Sequence, residues 1–305
     1  MVATFAAFSI LRPDVFFTFF VFKSILRDAA PLLILSLGVT FVLVMNAYDL
    51  SLGGVIALCA TTATMLASTS YVGAGTLPAI VLTLALGVLA GLLNGALVAY
   101  LALPSFILTI ATGTALAGVS LELTGSNSIF DGIPDSYVSV GSGEIFGLPN
   151  QILIAAVALA ASHFLLNYTK YGRHMYAIGS SVEAARVSGV RVQLSQALGF
   201  CLVGLAAATV GILLTSQAGA ANPNTGAGLL LPAYAAAFLG SSLLGTGRFT
   251  PLGTALGALY LQIVGTGLTI LNLSGPVILM IQGVILGAAV LLVRMRARWE
   301  GLGSG

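Results

Sequence analysis

The chain has 305 residues, 58% of them hydrophobic and 7% charged, with a formal net charge of +2. Water-soluble domains carry roughly 25% charged residues, so a soluble globule is excluded. The small net charge and the lack of a long basic run exclude nucleic acid as a partner. At about 20 apolar residues per spanning helix, the apolar content is enough for roughly nine spans, and the chain reads as an all-α polytopic membrane protein. Unbroken apolar runs at 79–100 and 152–166 do not fit the alternating strands of a membrane barrel.

Taken in order, the apolar runs predict ten spans: 2–11, 30–47, 50–68, 77–100, 104–123, 151–168, 194–216, 229–244, 251–271 and 276–293. The first reaches only about half of a ~30 Å hydrocarbon core at 1.5 Å per residue, so it is a partial span or continues through Arg12, Pro13 and Asp14. No basic region precedes it and no convincing cleavage site follows, so a removed signal peptide is not expected. Segment 12–28 carries Arg12, Lys23 and Arg27 against Asp14 and Asp28, with the aromatic run FFTFFVF. It is predicted to be an interfacial helix lying in the membrane plane.

Lys170, Arg173, Arg186 and Arg191 crowd one loop, and Arg294, Arg296 and Arg298 crowd the C-terminus. Cytoplasmic loops hold the excess of Lys and Arg. Four predicted spans separate the two basic zones, so both face the cytoplasm, together with Arg248, and counting back places the N-terminus there as well. Loop 124–150, with Asp131, Asp135 and Glu144 and neither Lys nor Arg, then faces the periplasm.

The motif scan for catalysis returns absences. Neither lysine, Lys23 or Lys170, completes GxxxxGK[ST], so no Walker A loop is present. HExxH is missing, His163 and His174 lie in different contexts, and Cys59 and Cys201 sit in apolar runs without CxxC spacing. Neither a zinc site nor a disulfide framework is expected. Without a recognisable nucleophile, metal set or acid pair, the chain reads as neither an enzyme nor a cofactor carrier.

The basic loop holds YGRHMYAIGSSVEAARVSGVRV. Ser180 with Glu183 matches a capping box, and Gly189 supplies a left-handed stop, predicting a helix over 182–188. So short a helix needs a surface to pack on. Small Ala184 and Ala185 beside Glu183 and Arg186 suit a socket on another protein; a capped connector of no special role fits the same residues. In VMNAYDLSLGG, Asp49 would cost roughly 2.5 to 3.5 kcal/mol at a helix centre, which places it at a rim or facing a polar cavity near Asn46, Tyr48 and Ser51. Alternatively, Asp49 caps the next span by accepting from the Ser51 or Leu52 amide. Asn94 and the other span amides suit passage of a neutral, hydroxyl-rich molecule and also hold helices together. The pairs Gly87/Gly91 and Gly253/Gly257 read as helix-packing sites.

Four ordered blocks, LGVTFVLVMNAYDLSLGG, LPSFILTIATGTALAG, YGRHMYAIGSSVEAARVSGV and AAAFLGSSLLGTGRFTPLGTALGAL, resemble signatures of the permease subunits of bacterial ABC importers of the ribose, xylose and autoinducer-2 class. The resemblance covers nearly the whole chain. It departs at Ala47 and Tyr48, where Gly-Ile is usual, at Leu52, where Val is usual, and at Ser181, where Asn is common. It implies a type II-like importer bundle in the bacterial inner membrane, paired with an identical or paralogous permease subunit. It also implies a periplasmic substrate-binding protein and a cytoplasmic ATPase that holds the ATP and Mg. Residues 170–192 then form a coupling loop, with Glu183, Ala184, Ala185, Arg186 and Gly189 toward the ATPase. The expected solute is a small neutral polyhydroxylated molecule, with Asn46, Asp49, Ser51 and Asn94 along or near its path. Permeases for branched-chain amino acids, nucleosides or vitamins share much of this pattern. An ion-coupled secondary transporter would instead rely on Asp49.

Overall fold

In lipid no water satisfies exposed backbone groups, so long apolar runs fold as helices that bond their own amides. The computed structural model describes residues 2–16, 18–243 and 247–302. Phe17, within the aromatic run, and residues 244–246, within the fourth sequence block and at the end of the predicted span 229–244, lie outside them. The helices are α1 Val2–Leu11, α2 Pro13–Phe16, α3 Phe19–Leu43, α4 Leu52–Ala67, α5 Thr76–Leu101, α6 Ser105–Thr124 and α7 Asp135–Ser142. A small hairpin of β1 Glu144–Ile145 and β2 Leu148–Pro149 precedes α8 Asn150–Tyr168, α9 Lys170–Ser180, α10 Val182–Val187 and α11 Val192–Ala218. A single 3₁₀ turn, Ala227–Leu229, leads into α12 Leu230–Leu243, and α13 Pro251–Ile270 and α14 Gly275–Leu302 close the chain. Among the described residues, α3, α5, α6, α8, α11 and α13 are long and apolar enough to cross a membrane, and α4, α12 and the start of α14 are shorter apolar helices. The protein is an all-α polytopic membrane protein.

Helices α3 and α11 form the enclosed centre, whereas α5, α6 and α8 keep broad apolar faces exposed. Close approach is set by glycine. A Cβ on Gly91 of α5 would overlap the Phe200 carbonyl of α11, and Gly87 and Gly204 meet backbone to backbone one turn away. Gly240 of α12 meets Gly253 in the same manner, and Gly257 meets Ala236, so both sequence pairs pack helices.

The two ends differ in charge. At one end, loop 124–150 folds rather than trailing. Tyr137 of α7 is fully buried and bonds Thr215 (2.6 Å), and Ile129 pairs with Ala221. Lys23 reaches Glu144 beside the hairpin (2.7 Å). At the other end α9 and α10 dock, and the Tyr176 hydroxyl donates to the Phe249 carbonyl (2.8 Å), joining the basic loop to the segment before α13 that holds Arg248. Basic loop and acidic loop therefore occupy opposite ends.

Segment 12–28 is not a separate interfacial helix. Pro13–Phe16 is a short turn, and from Phe19 the chain is one continuous helix through Leu43. Lys23 pairs with Glu144 and Arg27 with Asp28 (2.8 Å), so both basic residues of its first turns have an acidic partner. The first predicted span is a half-length helix: α1 ends at Leu11 and packs Phe8 against Gly267 of α13.

Replacing Gly91 by Leu should force α5 and α11 apart, at a cost of about 1–3 kcal/mol or more. Detergent-solubilised G91L is expected to show a lower apparent Tm and more aggregation, while Leu93→Ala, on the exposed face of the same helix, leaves both unchanged.

Candidate functional site

The basic loop forms two short helices separated by Ser181. The Ser181 hydroxyl accepts from the Ala184 amide (3.2 Å), so Ser181 is the cap of α10. Ser180 belongs to α9 and donates to the Tyr176 carbonyl (3.1 Å), which places the cap one residue later than the predicted box. Past Ser188, Gly189 has φ of +80°. Its amide bonds the Arg186 carbonyl (3.0 Å) and the Val190 amide bonds the Ala185 carbonyl (3.0 Å), a Schellman stop.

Ala185 turns inward, against a cluster with Phe41, Met45, Met175 and Ile178 at the ends of α3 and α9. It anchors α10 to its own bundle and is not part of the free face, contrary to the expected socket of two alanines. The outward face consists of Glu183, Ala184, Arg186 and Val187, with Gly189 beyond them. Val187 is 90% exposed, a bare apolar side chain at the last position of α10. Sequence reading passed over it, because a valine beside charged residues looks unremarkable until the helix is placed.

Two contacts tie α9 to the bundle. Gly179 abuts the Val44 carbonyl so closely that a Cβ would overlap it. Asn46, held at φ +56°, donates from Nδ2 to the Gly179 carbonyl (2.7 Å). Asn can adopt this left-handed conformation more readily than most residues. Burial raises the Tyr176 phenol above its ordinary value, with the Arg248 charge acting in the opposite direction. The hydroxyl therefore stays protonated and can donate to Phe249.

From Ala47 to Ser51 the chain is not helical, yet its neighbours lie inside the bundle. Gly240 of α12 meets the first turn of α13, and Tyr234 stands six residues earlier on α12, about 9 Å deeper at helical rise. Here the Asp49 amide donates to the Tyr234 hydroxyl (2.8 Å), and that hydroxyl donates to the Asp49 carbonyl (2.8 Å). The Tyr48 amide is taken by Ser105 (3.2 Å) and the Leu50 amide by Thr109 (2.9 Å), both from α6. The Asp49 carboxylate accepts from the Ser51 amide (2.9 Å) and the Ser51 hydroxyl, and Asn94 of α5 donates to that hydroxyl (2.9 Å).

Asp49, Ser51 and Asn94 are therefore brought together, each at most 2% exposed. They form a buried hydrogen-bonded knot that holds the broken segment, whereas Asn46 lies apart, against the basic loop. Tyr234, Thr109 and Ser105 were not singled out from sequence; each comes from a distant helix, and nothing local marks them. Among the described residues no group of three or more His, Cys, Asp or Glu is placed to hold a metal ion.

Replacing Tyr234 by Phe leaves an N–H and a C=O unpaired inside the bundle, a cost of about 1–3 kcal/mol for each buried group. Y234F is expected to lower the apparent Tm in detergent well beyond Tyr71→Phe, at an exposed tyrosine.

Comparison with known proteins agrees with this architecture. A family described as branched-chain amino acid transport system / permease component matches residues 21–293. The ribose import permease protein RbsC of Haemophilus influenzae is 30% identical over 289 residues, covering 94% of this chain and 88% of the relative. RbsC of Escherichia coli K12 is 31% identical over 290 residues, covering 94% and 89%. The autoinducer 2 import system permease protein LsrC of Escherichia coli HS is 36% identical over 248 residues, covering 81% and 71%. No solved structure matches the chain. With the family matched over most of its length and its helices laid out as a multi-pass bundle, the chain belongs to this family of transport-system permease components.

Proposed function

We propose that the chain is the membrane-spanning permease subunit of a sugar-type ABC importer of the bacterial inner membrane. It passes a small neutral polyhydroxylated solute, such as a monosaccharide, inward while a separate cytoplasmic ATPase hydrolyses ATP. The observation that carries this reading is the α9–α10 unit. It is capped at both ends, seated on the bundle through Ala185 and Gly179, and presents Glu183, Ala184, Arg186 and Val187 outward. A two-turn helix with a bare valine at its tip matches what a docked partner requires: an apolar anchor with charges at its rim.

The same unit grips the bundle at two points. Through Asn46 it holds the start of the broken segment, and through Tyr176 it holds the chain before α13. Helix α12 runs from Tyr234, at Asp49, down to that second point. A push on α10 thus reaches both sides of the Asp49–Tyr234 junction. This gives the coupling its mechanical content: a local displacement biases an element with more than one arrangement.

ATP and Mg belong on the partner, since this chain lacks the glycine-rich loop and lysine that would hold them. No catalytic role is assigned to it. The relatives named for ribose and autoinducer 2 support a neutral hydroxylated solute, and so does the uncharged character of the span amides. A periplasmic binding protein at the outer end and a second permease subunit complete the assembly.

Purification in mild detergent followed by mass spectrometry should recover an ATPase subunit with the chain. Charge reversal at Glu183→Lys is expected to cut ATPase-driven uptake about tenfold or more while membrane insertion persists, because like charges brought together at an interface cost several kcal/mol. Unchanged uptake by E183K would sink the coupling assignment. In proteoliposomes of the complex, Tyr176→Phe should keep ATP hydrolysis but lower solute moved per ATP by about fivefold, the scale of one lost hydrogen bond.

A further inference from the structure

We infer that the exposed face of two non-helical segments forms the aqueous path of the solute, and that Tyr48 stands at its inner end. This rests on the permease reading above and locates the path away from the acid knot.

The first segment alternates. Ala47, Asp49 and Ser51 are buried, whereas Tyr48 is 41% exposed and Leu50 is half-buried. The second segment, between α11 and α12, does the same: Ala221 and Pro223 are buried, and Asn222 and Asn224 are exposed. The two segments meet at one groove of about 410 Å³, which takes Leu50 and Gly53 from one side, Pro223, Asn224 and Ala227 from the other, and Gly113 and Thr114 from α6.

Depth decides what this groove can face. Ala227 packs on Gly53 in the first turn of α4, a 16-residue helix. The rest of that helix, about 20 Å, separates it from the outer end. Non-helical backbone at such depth does not face lipid; it is tolerated where it is buried in protein or lines water. Asp49 and Ser51 meet the first condition. The exposed residues Tyr48, Leu50 and Asn224 have no cover within this chain, and in the inferred path they meet the second. No charged residue lines the groove. Its lining is mostly apolar, with Leu50, Ala57, Ile110 and Leu230, and a neutral solute would find its polar contacts at the Thr114 hydroxyl, the Asn224 amide and the glycine backbone; the Tyr48 ring is braced by stacking on Tyr234 (centroids 6.2 Å apart). A solute leaving this groove past Leu50 meets Tyr48, not Asp49.

The test is labelling by a membrane-impermeant maleimide of the complete importer in membrane vesicles, with Cys59 and Cys201 replaced by Ala. Leu50→Cys, Thr114→Cys and Asn224→Cys should react about tenfold or more faster than Leu93→Cys and Val157→Cys on the exposed faces of α5 and α8, because a thiolate needs water to form. Trapping the ATPase with ATP and vanadate should change the three groove rates about fivefold or more and leave the two controls unmoved, the scale of an ordinary coupling between sites. Adding Tyr48→Ala to Leu50→Cys should raise its labelling in inside-out vesicles. Groove rates no faster than the controls, or indifferent to trapping, overturn the path; an unchanged rate with Tyr48→Ala removes Tyr48 from it. The ATPase recovered with each variant is measured alongside. A dry groove with the ATPase bound overturns the groove alone, whereas a parent chain that never binds an ATPase overturns the permease reading and the path with it.

Discussion

A peptide group in hydrocarbon must find its hydrogen bond within the protein, and in this chain that constraint bears hardest between Ala47 and Ser51. The helix stops there, inside the bundle, and the backbone amides must be supplied from elsewhere. Two helices supply them, α6 with Ser105 and Thr109 and α12 with Tyr234; the Ser51 amide is taken by the Asp49 carboxylate, and Asn94 of α5 donates to the Ser51 hydroxyl. These bonds form one buried polar network, and such a network fixes one arrangement more firmly than apolar contact does. It ties α4, α5, α6 and α12 together, and the glycine contacts of the long helices fill in around it.

The same constraint explains why the Asp49 carboxylate can be buried. It accepts two hydrogen bonds from Ser51 and sits beside the Tyr234 hydroxyl, so it is held by donors rather than by a counter-ion. A carboxylate used in this manner organises backbone. The alternative reading from sequence, Asp49 accepting the Ser51 amide at the start of α4, describes part of its work. The bonds that cross to α5 and α12 are what sequence proximity cannot supply.

Much of the architecture was legible because span length is written in apolar run length: the predicted runs 77–100 and 104–123 fall on α5 and α6 within a few residues. The two local errors have physical causes. Segment 12–28 read as interfacial because it mixes opposing charges with an aromatic run, yet the partner of Lys23 is Glu144, 121 residues away. The capping box was set one residue early because Glu183 stands three after Ser180, the spacing such a box requires; the structure lets α9 run through Ser180 instead and gives the cap to Ser181. At the site, Asn46, Asp49, Ser51 and Asn94 stood out as polar residues in apolar company. Tyr234 did not, since a tyrosine in LPAYAAAFLG gives no sign of which backbone it will meet.

Gly179 bears on how force would travel through this molecule. Joints between helices are commonly cushioned by side chains, whose rotamers absorb small displacements before the backbone yields. Here α9 meets the end of α3 main chain to main chain, with no side chain between them. Such a joint has no slack: a shift of a fraction of an ångström in the basic loop is delivered undamped to the place where the backbone leaves the helix. Any residue larger than glycine would add compliance as well as bulk, so the position acts as a stiff bearing.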